Sequence, residues 1–393
     1  MYRYAILGAG RQGLAAAYDL ARFGAASEIA LFDADLAAAR RGARRIAKLA
    51  GRKLCRAARL DVRSAKEVRM ALAGFDAALS AVPYFFNEAL AQAALEARTP
   101  YTDLGGNLRI VRRQLKLDAR ARKAGVPIVP DGGLAPGMAN VLAAYAVERF
   151  AAAGLGKAHT VKLYCGGLPR RPRPPLGYQM LFSVEGLLNE YEGESLVLRG
   201  GKLARVPTLA ELESLRFPAP VESCEAFVTS GGTSTGPYTF KGRLRAYEYK
   251  TLRYPGHVEK IRALRDLGLF EAAKVRAGGV AVSPREVFKA CALPRLTFPG
   301  APDLVVLCVR CLGGPARRLR ELRLDLLDFA DPRTGFSAME RTTGFPAAIA
   351  LHMLAKKTIR PGARAFEAAL PPGDFVRELR RRGMKLRERA IRP

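Results

Sequence analysis

Tyr4-Ala5-Ile6-Leu7-Gly8-Ala9-Gly10-Arg11-Gln12-Gly13 runs from an apolar strand straight into three glycines at GxGxxG spacing. Twenty residues after the last glycine the chain reaches Asp33. Between them lie a helical stretch from Leu14 to Phe23 and a second apolar strand from Ile29 to Phe32, so the whole reads as one βαβ unit. The spacing has a chemical reason. Gly8 permits the tight turn off the strand, Gly10 lets backbone N–H groups approach a pyrophosphate, and Gly13 lets helix and strand pack closely. Arg11 and Gln12 then open the helix at its positive end, where phosphates are held. Asp33 falls where a carboxylate accepts hydrogen bonds from the adenosine ribose, which makes NAD the expected cofactor.

Composition bounds the rest. A chain of 393 residues is long for one core and suggests two domains. Its 49% hydrophobic content is ordinary for a globular protein, and no apolar stretch approaches the roughly 20 residues of a membrane span. The early first strand leaves no room for a signal peptide, so a cytoplasmic location is expected. Six scattered cysteines argue against a disulfide framework. Cys308 and Cys311 form a CxxC inside an apolar run, where an offset of three puts the thiols on opposite faces of a strand. No metal site is expected there. The net charge of +29 is unusual, but its basic residues are spread along the chain without interleaved aromatics. Neither a specific nucleic-acid partner nor a membrane partner is expected.

Along the first 130 residues strands and helices alternate, the pattern of a parallel sheet with crossover helices. Strands are expected at Tyr4–Leu7, Glu28–Phe32, Lys53–Ala57, Ala77–Ser80, Tyr101–Asp103 and Ile128–Val129, with helices such as Asn87–Ala97 and Val111–Ala124 between them. The fold class is therefore α/β: a doubly wound Rossmann domain over 1–130, then a second α+β domain with a mixed sheet over 131–335. A glycine- and proline-rich hinge, Pro130 to Met138, joins them. His159–Cys165 and Leu319–Asp328 alternate as half-buried strands. Residues 336–366 are expected to pack back on the first domain, with the helix from Ser337 to Lys356 interrupted at Pro346. Residues 367–393 read as a basic helix. Ligand should lie across the carboxyl ends of the first domain's strands. Asp61-Val62 belongs on that rim near the adenine, and Ser80-Ala81-Val82-Pro83 and Asp103-Leu104-Gly105-Gly106-Asn107 near the nicotinamide.

Hydride transfer asks the protein to orient substrate, neutralise its carboxylate and handle protons. His159 and His352 read as structural. His257 lies in a polar turn opening a helix, and Asp103 ends a late strand facing the nicotinamide; each is a candidate base. Arg253 is suited to clamp a carboxylate.

A set of further segments carries a resemblance. The N-terminal fingerprint, Asp103-Leu104-Gly105-Gly106, Gly133-Leu134-Ala135-Pro136-Gly137-Met138, Cys165-Gly166-Gly167-Leu168-Pro169, Phe182-Ser183-Val184-Glu185-Gly186 and Leu252-Arg253-Tyr254-Pro255-Gly256-His257 together resemble the saccharopine dehydrogenase family over nearly the whole chain. They are most similar to its lysine 6-dehydrogenase branch. The saccharopine-forming reductases tend to carry an acid where this chain has Asn140. The resemblance implies a homodimer and NAD-linked oxidation of the lysine ε-carbon, releasing 2-aminoadipate 6-semialdehyde and ammonia. Such chemistry needs a neutral amine, and deprotonating a free lysine amine at pH 7 costs about 4–5 kcal/mol. Two alternatives stand beside it. One is an NADP-dependent saccharopine dehydrogenase or reductase; the other is a non-catalytic dinucleotide- or RNA-binding protein.

Overall fold

The computed structural model describes residues 1–314 and 319–391. Among them, seven strands form a wholly parallel sheet in the order Gly362–Ala363, Pro127–Val129, Tyr101–Asp103, Ala77–Ser80, Tyr2–Leu7, Ala26–Asp33, Cys55–Arg59. The strand order reverses between Tyr2–Leu7 and Ala77–Ser80, which places a ligand crevice at their carboxyl ends. Strands such as Tyr4–Leu7 are apolar at every position because both faces of the sheet are covered. The helical stretch expected from Val111 to Ala124 is two helices, Leu108–Leu115 and Asp118–Ala124; Asn107 caps the first, and Gly125 ends the second in the left-handed conformation.

The seventh strand, Gly362–Ala363, comes from far along the chain. So does the helix Ala338–Ala355, which lies against the helix Arg11–Phe23. A Cβ on Gly344 would stand 2.6 Å from the Ala15 Cβ, so the two helices meet backbone to backbone. This long helix is not interrupted at Pro346. It starts at a capping box between Ser337 and Glu340 and continues unbroken to Ala355, buried on nearly every side. Burial of its apolar surface outweighs the roughly 3 kcal/mol that an interior proline costs.

The second sheet has nine strands among the described residues. Its main path runs Glu213–Arg216, Ser223–Phe227, Ala246–Arg253, Ala158–Pro169, Asp303–Gly313, Arg320–Phe329, Leu386–Ile391, and the hairpin Glu194–Arg199 with Lys202–Pro207 joins at Ala246–Arg253. Ala246–Arg253 pairs parallel with Ala158–Pro169 and the other pairs are antiparallel, so the sheet is mixed. Val161, Leu163, Cys165 and Cys311 face one apolar cluster, while Tyr164, Leu168 and Cys308 face another. The two thiols of the CxxC therefore point to opposite faces.

The basic tail departs from expectation. Pro372–Arg381 is helical, but the chain turns at Gly383 and Leu386–Ile391 becomes an edge strand against Arg320–Phe329. The alternation of Leu386, Glu388 and Ala390 with Arg387 and Arg389 matches a half-covered edge, and Arg389 pairs with Asp325 at 2.8 Å. The last two residues of the expected helix, Arg392 and Pro393, lie outside the described residues.

Candidate functional site

The glycine turn divides its labour as the spacing requires. Gly8 sits at φ +103°, and a Cβ there would come within 2.8 Å of the Ala81 carbonyl. A Cβ on Gly13 would stand 2.0 Å from the Gly8 carbonyl oxygen, so this glycine is what lets the helix close on the strand. A Cβ on Gly10 would meet nothing within 4 Å. That open side is the cradle. The helix Arg11–Phe23 begins there with no side-chain cap and no acid in its first turn, and the buried Gln12 Oε1 has no partner. Uncapped N–H groups and open space beside Gly10 fit a pyrophosphate. Arg11 reaches back to Glu340 at 2.8 Å and ties the cradle to the long helix.

Asp33 accepts hydrogen bonds from the Ala9 and Asp35 N–H groups, which fixes its carboxylate beside the glycine turn. At the next strand end Asp61 is held by Arg63 at 2.6 Å, well below the usual carboxylate range, and Val62 packs on the cluster that contains Phe32. Val82 approaches Gly8, and Pro83 opens the short turn Tyr84–Phe86. Ser80 is buried and donates its hydroxyl to Asn87, so its proton is spent within the protein.

Asp103 is also buried, and its carboxylate is fully engaged. Oδ1 accepts the Gly105 and Asp131 N–H groups, and Oδ2 accepts Gln114 Nε2 at 2.6 Å. Those bonds fasten two rim loops together. The loop they hold presents a residue that the sequence reading passed over. Asp131 adopts φ +77°, a conformation rare outside glycine, and its carboxylate accepts the Ser234 hydroxyl. Gly105 leaves it room, since a Cβ there would lie 1.7 Å from Asp131 Oδ1. Burial, Asp103 and Glu367 together push the Asp131 carboxyl up to about 7. Glu367 itself is buried, held by Thr235 and Thr239 at 3.0 and 2.5 Å, and burial raises it too. Asn140 donates to the Thr233 carbonyl and accepts from Tyr247, so its amide is taken up within the protein.

A second group of charges lies where Ala246–Arg253 ends. Arg253 is 3% exposed; it donates to Glu190 at 3.1 Å, lies 4.7 Å above the Tyr178 ring, and leaves its Nε without a partner. His257 is buried among Tyr178, Tyr191 and Phe227. Its Nδ1 faces the Leu176 carbonyl at 3.0 Å and its Nε2 the Tyr191 hydroxyl at 2.9 Å. The Nδ1–H must be the donor, so Nε2 accepts from Tyr191. Burial, with Arg253 nearby, lowers this imidazole to about 3, and it stays neutral near pH 7. Neutral, and with both nitrogens engaged, His257 is built to position Tyr191, which in turn faces Arg253. His352 bonds to the Tyr4 hydroxyl, away from this group.

The loop Thr229–Thr235 connects the two groups. Ser230 donates to the Asn189 carbonyl beside Glu190, and four residues later Ser234 donates to Asp131. Gly232, between them, lies against the Tyr249 ring. Asp131 and Glu190 were open to sequence reading only through the motifs around them, Pro130–Met138 and Phe182–Tyr191; nothing near Glu367 signalled it.

Comparison with known proteins agrees with this architecture. Residues 4–129 match the saccharopine dehydrogenase NADP binding domain, and residues 133–384 match the saccharopine dehydrogenase C-terminal domain. A saccharopine dehydrogenase [NADP(+), L-glutamate-forming] of Pyricularia oryzae is 29% identical over 216 residues, 53% of this chain and 46% of its own length. The protein of that name from Saccharomyces cerevisiae is 28% identical over 236 residues, 58% of this chain and 51% of its own length. The chain thus spans about half the length of the curated relatives it matches. The solved apo saccharopine dehydrogenase (L-Glu forming) from Saccharomyces cerevisiae superimposes with a TM-score of 0.79 over 100% of both chains at 21% identity, a likeness of fold. With both domain families matched across almost all of its length, the chain belongs to the saccharopine dehydrogenase family.

Proposed function

We propose that this protein is an NAD-dependent oxidoreductase that deaminates the ε-carbon of L-lysine. The observation that carries the reading is the distribution of charge between the two groups. Arg253 and Glu190 form a neutral pair, whereas Asp131, Asp103 and Glu367 make a buried group of carboxyls around the ends of Tyr101–Asp103 and Pro127–Val129. Lysine has the matching form, a zwitterionic head and a cationic tail. Arg253 takes the α-carboxylate. Asp131 accepts the proton that the ε-ammonium must lose before its nitrogen lone pair can assist hydride departure. Asp103 holds the Asp131 backbone in place. When bound, the nicotinamide supplies the hydride acceptor.

The names of the curated relatives support a second reading, NADP-linked, glutamate-forming oxidation of saccharopine. Saccharopine would bring additional carboxylates, which meet repulsion wherever they approach Asp131 in the ionised form it needs as a proton acceptor. Repulsion there is on the order of 1–4 kcal/mol per close pair, depending on local dielectric. Asn140 no longer discriminates between the readings, because its amide is satisfied internally. For the cofactor, Asp33 supports NAD, since a 2′-phosphate beside its carboxylate meets similar repulsion. Purified protein given lysine and NAD⁺ should form NADH and one ammonia per turnover. Oxidation of saccharopine but not lysine would overturn the substrate, and tighter binding of NADP than NAD would overturn the cofactor.

A further inference from the structure

The Arg253–Glu190 pair has more to offer than a clamp for one carboxylate. Arg253 uses one terminal nitrogen on Glu190 and the other on its own Leu252 carbonyl, and leaves Nε unbonded. Beside it the Tyr178 hydroxyl is buried and likewise without a partner. Two unpaired donors at a buried cation are a costly arrangement unless an anion takes them. Glu190 complements them. Only its Oε2 is bonded to Arg253, its Oε1 has no hydrogen bond among the described residues, and its side chain is 28% exposed, against 4% for Arg253. The acid is thus the accessible half of the pair. A carboxylate with one free oxygen suits an ammonium group, and it sits one residue from the Tyr191 hydroxyl that His257 fixes.

We propose that Arg253, Tyr178 and Glu190 together read the zwitterionic head of an L-α-amino acid: Arg253 Nε and the Tyr178 hydroxyl take its carboxylate, and Glu190 takes its α-ammonium. This deepens the lysine reading and rests on it for the identity of the tail. Opposite charges meet opposite charges, so a neutral head replaces water at a neutral pair. An acid without an α-amine, or an amine without an α-carboxylate, satisfies only half of the set and leaves the other buried charge facing nothing. Ser230 donates to the Asn189 carbonyl next to Glu190, and Ser234, four residues on, donates to Asp131.

Head recognition is tested by binding as well as by turnover. Titration calorimetry of the NAD-loaded protein with L-norleucine, hexanoate and hexylamine probes the head without a reactive tail. L-norleucine should bind at least tenfold tighter than either analogue. Glu190→Gln should remove its advantage over hexanoate while leaving NAD affinity unchanged, and hexanoate, freed of the acid beside Arg253, should bind no more weakly than before. In turnover, 6-aminohexanoate and 1,5-diaminopentane should each fall at least tenfold below lysine in kcat/KM, and Glu190→Gln should bring lysine down to the level of 6-aminohexanoate. Tyr178→Phe, which keeps the ring under Arg253, should weaken L-norleucine and hexanoate alike. Equal binding of L-norleucine and hexanoate to the unmodified protein would overturn the proposal. So would a Glu190→Gln protein that keeps the distinction or loses both ligands equally. If L-norleucine is recognised as expected but lysine is not oxidised, the head site stands and the lysine reading fails.

Discussion

Asp131 combines a left-handed backbone, a buried carboxyl and a hydroxyl partner from a distant loop, and its carboxyl is pushed up to about 7. A proton acceptor must be deprotonated to work, so activity should rise as pH climbs through about 7, well below the titration of free lysine amine. Asp131→Asn should lower kcat/KM for lysine by about 100-fold or more and abolish that limb, with NAD affinity retained. Normal pH dependence in the variant would remove Asp131 from the reaction. His257 carries an opposite signature. Its folded value is lowered to about 3 from an ordinary 6.5, so the unfolded chain binds the proton more readily and stability is lost as pH falls below 6.5. Relative to His257→Gln, the unmodified protein should lose about 1 kcal/mol of its advantage between pH 6.5 and 5.5, measured by urea unfolding. A gap that stays constant would mean the imidazole is not held neutral. In the sequence His257 looked like a polar group opening a helix. What could not be read was the aromatic wall around it, because Tyr178, Tyr191 and Phe227 come from three separate segments.

Among the elements, the glycine turn was the most legible, since each glycine answers a local steric demand. It also yields a paired prediction. Gly10→Ala adds a Cβ to open space, so the fold should keep its stability while dinucleotide affinity falls at least tenfold. Gly13→Ala drives a Cβ to 2.0 Å from the Gly8 carbonyl and should cost about 1–3 kcal/mol or more by overpacking. Thermal unfolding and cofactor titration of the two variants check it; equal destabilisation by both would contradict the assignment. The parallel strands were legible for a similar reason, because burial on both faces makes them short apolar runs. Helix ends and breaks were less so. Pro346 suggests a break by its local chemistry, and only the helix's burial against Arg11–Phe23 and both sheets shows why it continues. Leu386–Ile391 is harder still. Its alternating arginines look helical and solvated until Arg320–Phe329 is known to lie alongside.

Over the whole molecule the 29 excess positive charges are dispersed, and many arginines are paired with the acids available to them. Among the described residues one pair is fully buried: Arg382 donates to Asp19 at 2.6 Å and locks the end of Pro372–Arg381 to the helix of the glycine turn. No helix among the described residues is long and apolar enough to cross a membrane. Mixed-sequence RNA should therefore be held only through generic attraction, with affinity falling steeply and linearly in log salt. Nanomolar binding to one sequence at physiological salt would refute this and revive the RNA-binding alternative. The seventh strand of the dinucleotide sheet has a consequence for how the protein is made. Gly362–Ala363 and Ala338–Ala355 complete a sheet whose other strands end at Val129. At about 5–20 residues per second, a ribosome reaches them roughly 10–50 s after Val129 has been added. During that interval the emerging polypeptide carries an open sheet edge and an uncovered face of Arg11–Phe23, a surface suited to a holdase. The fingerprint is translated before these elements, yet its cradle is finished only with them. Stalled nascent chains should therefore retain NAD only after Ala363 has cleared the exit tunnel, and an isolated 1–130 fragment should not retain it at all.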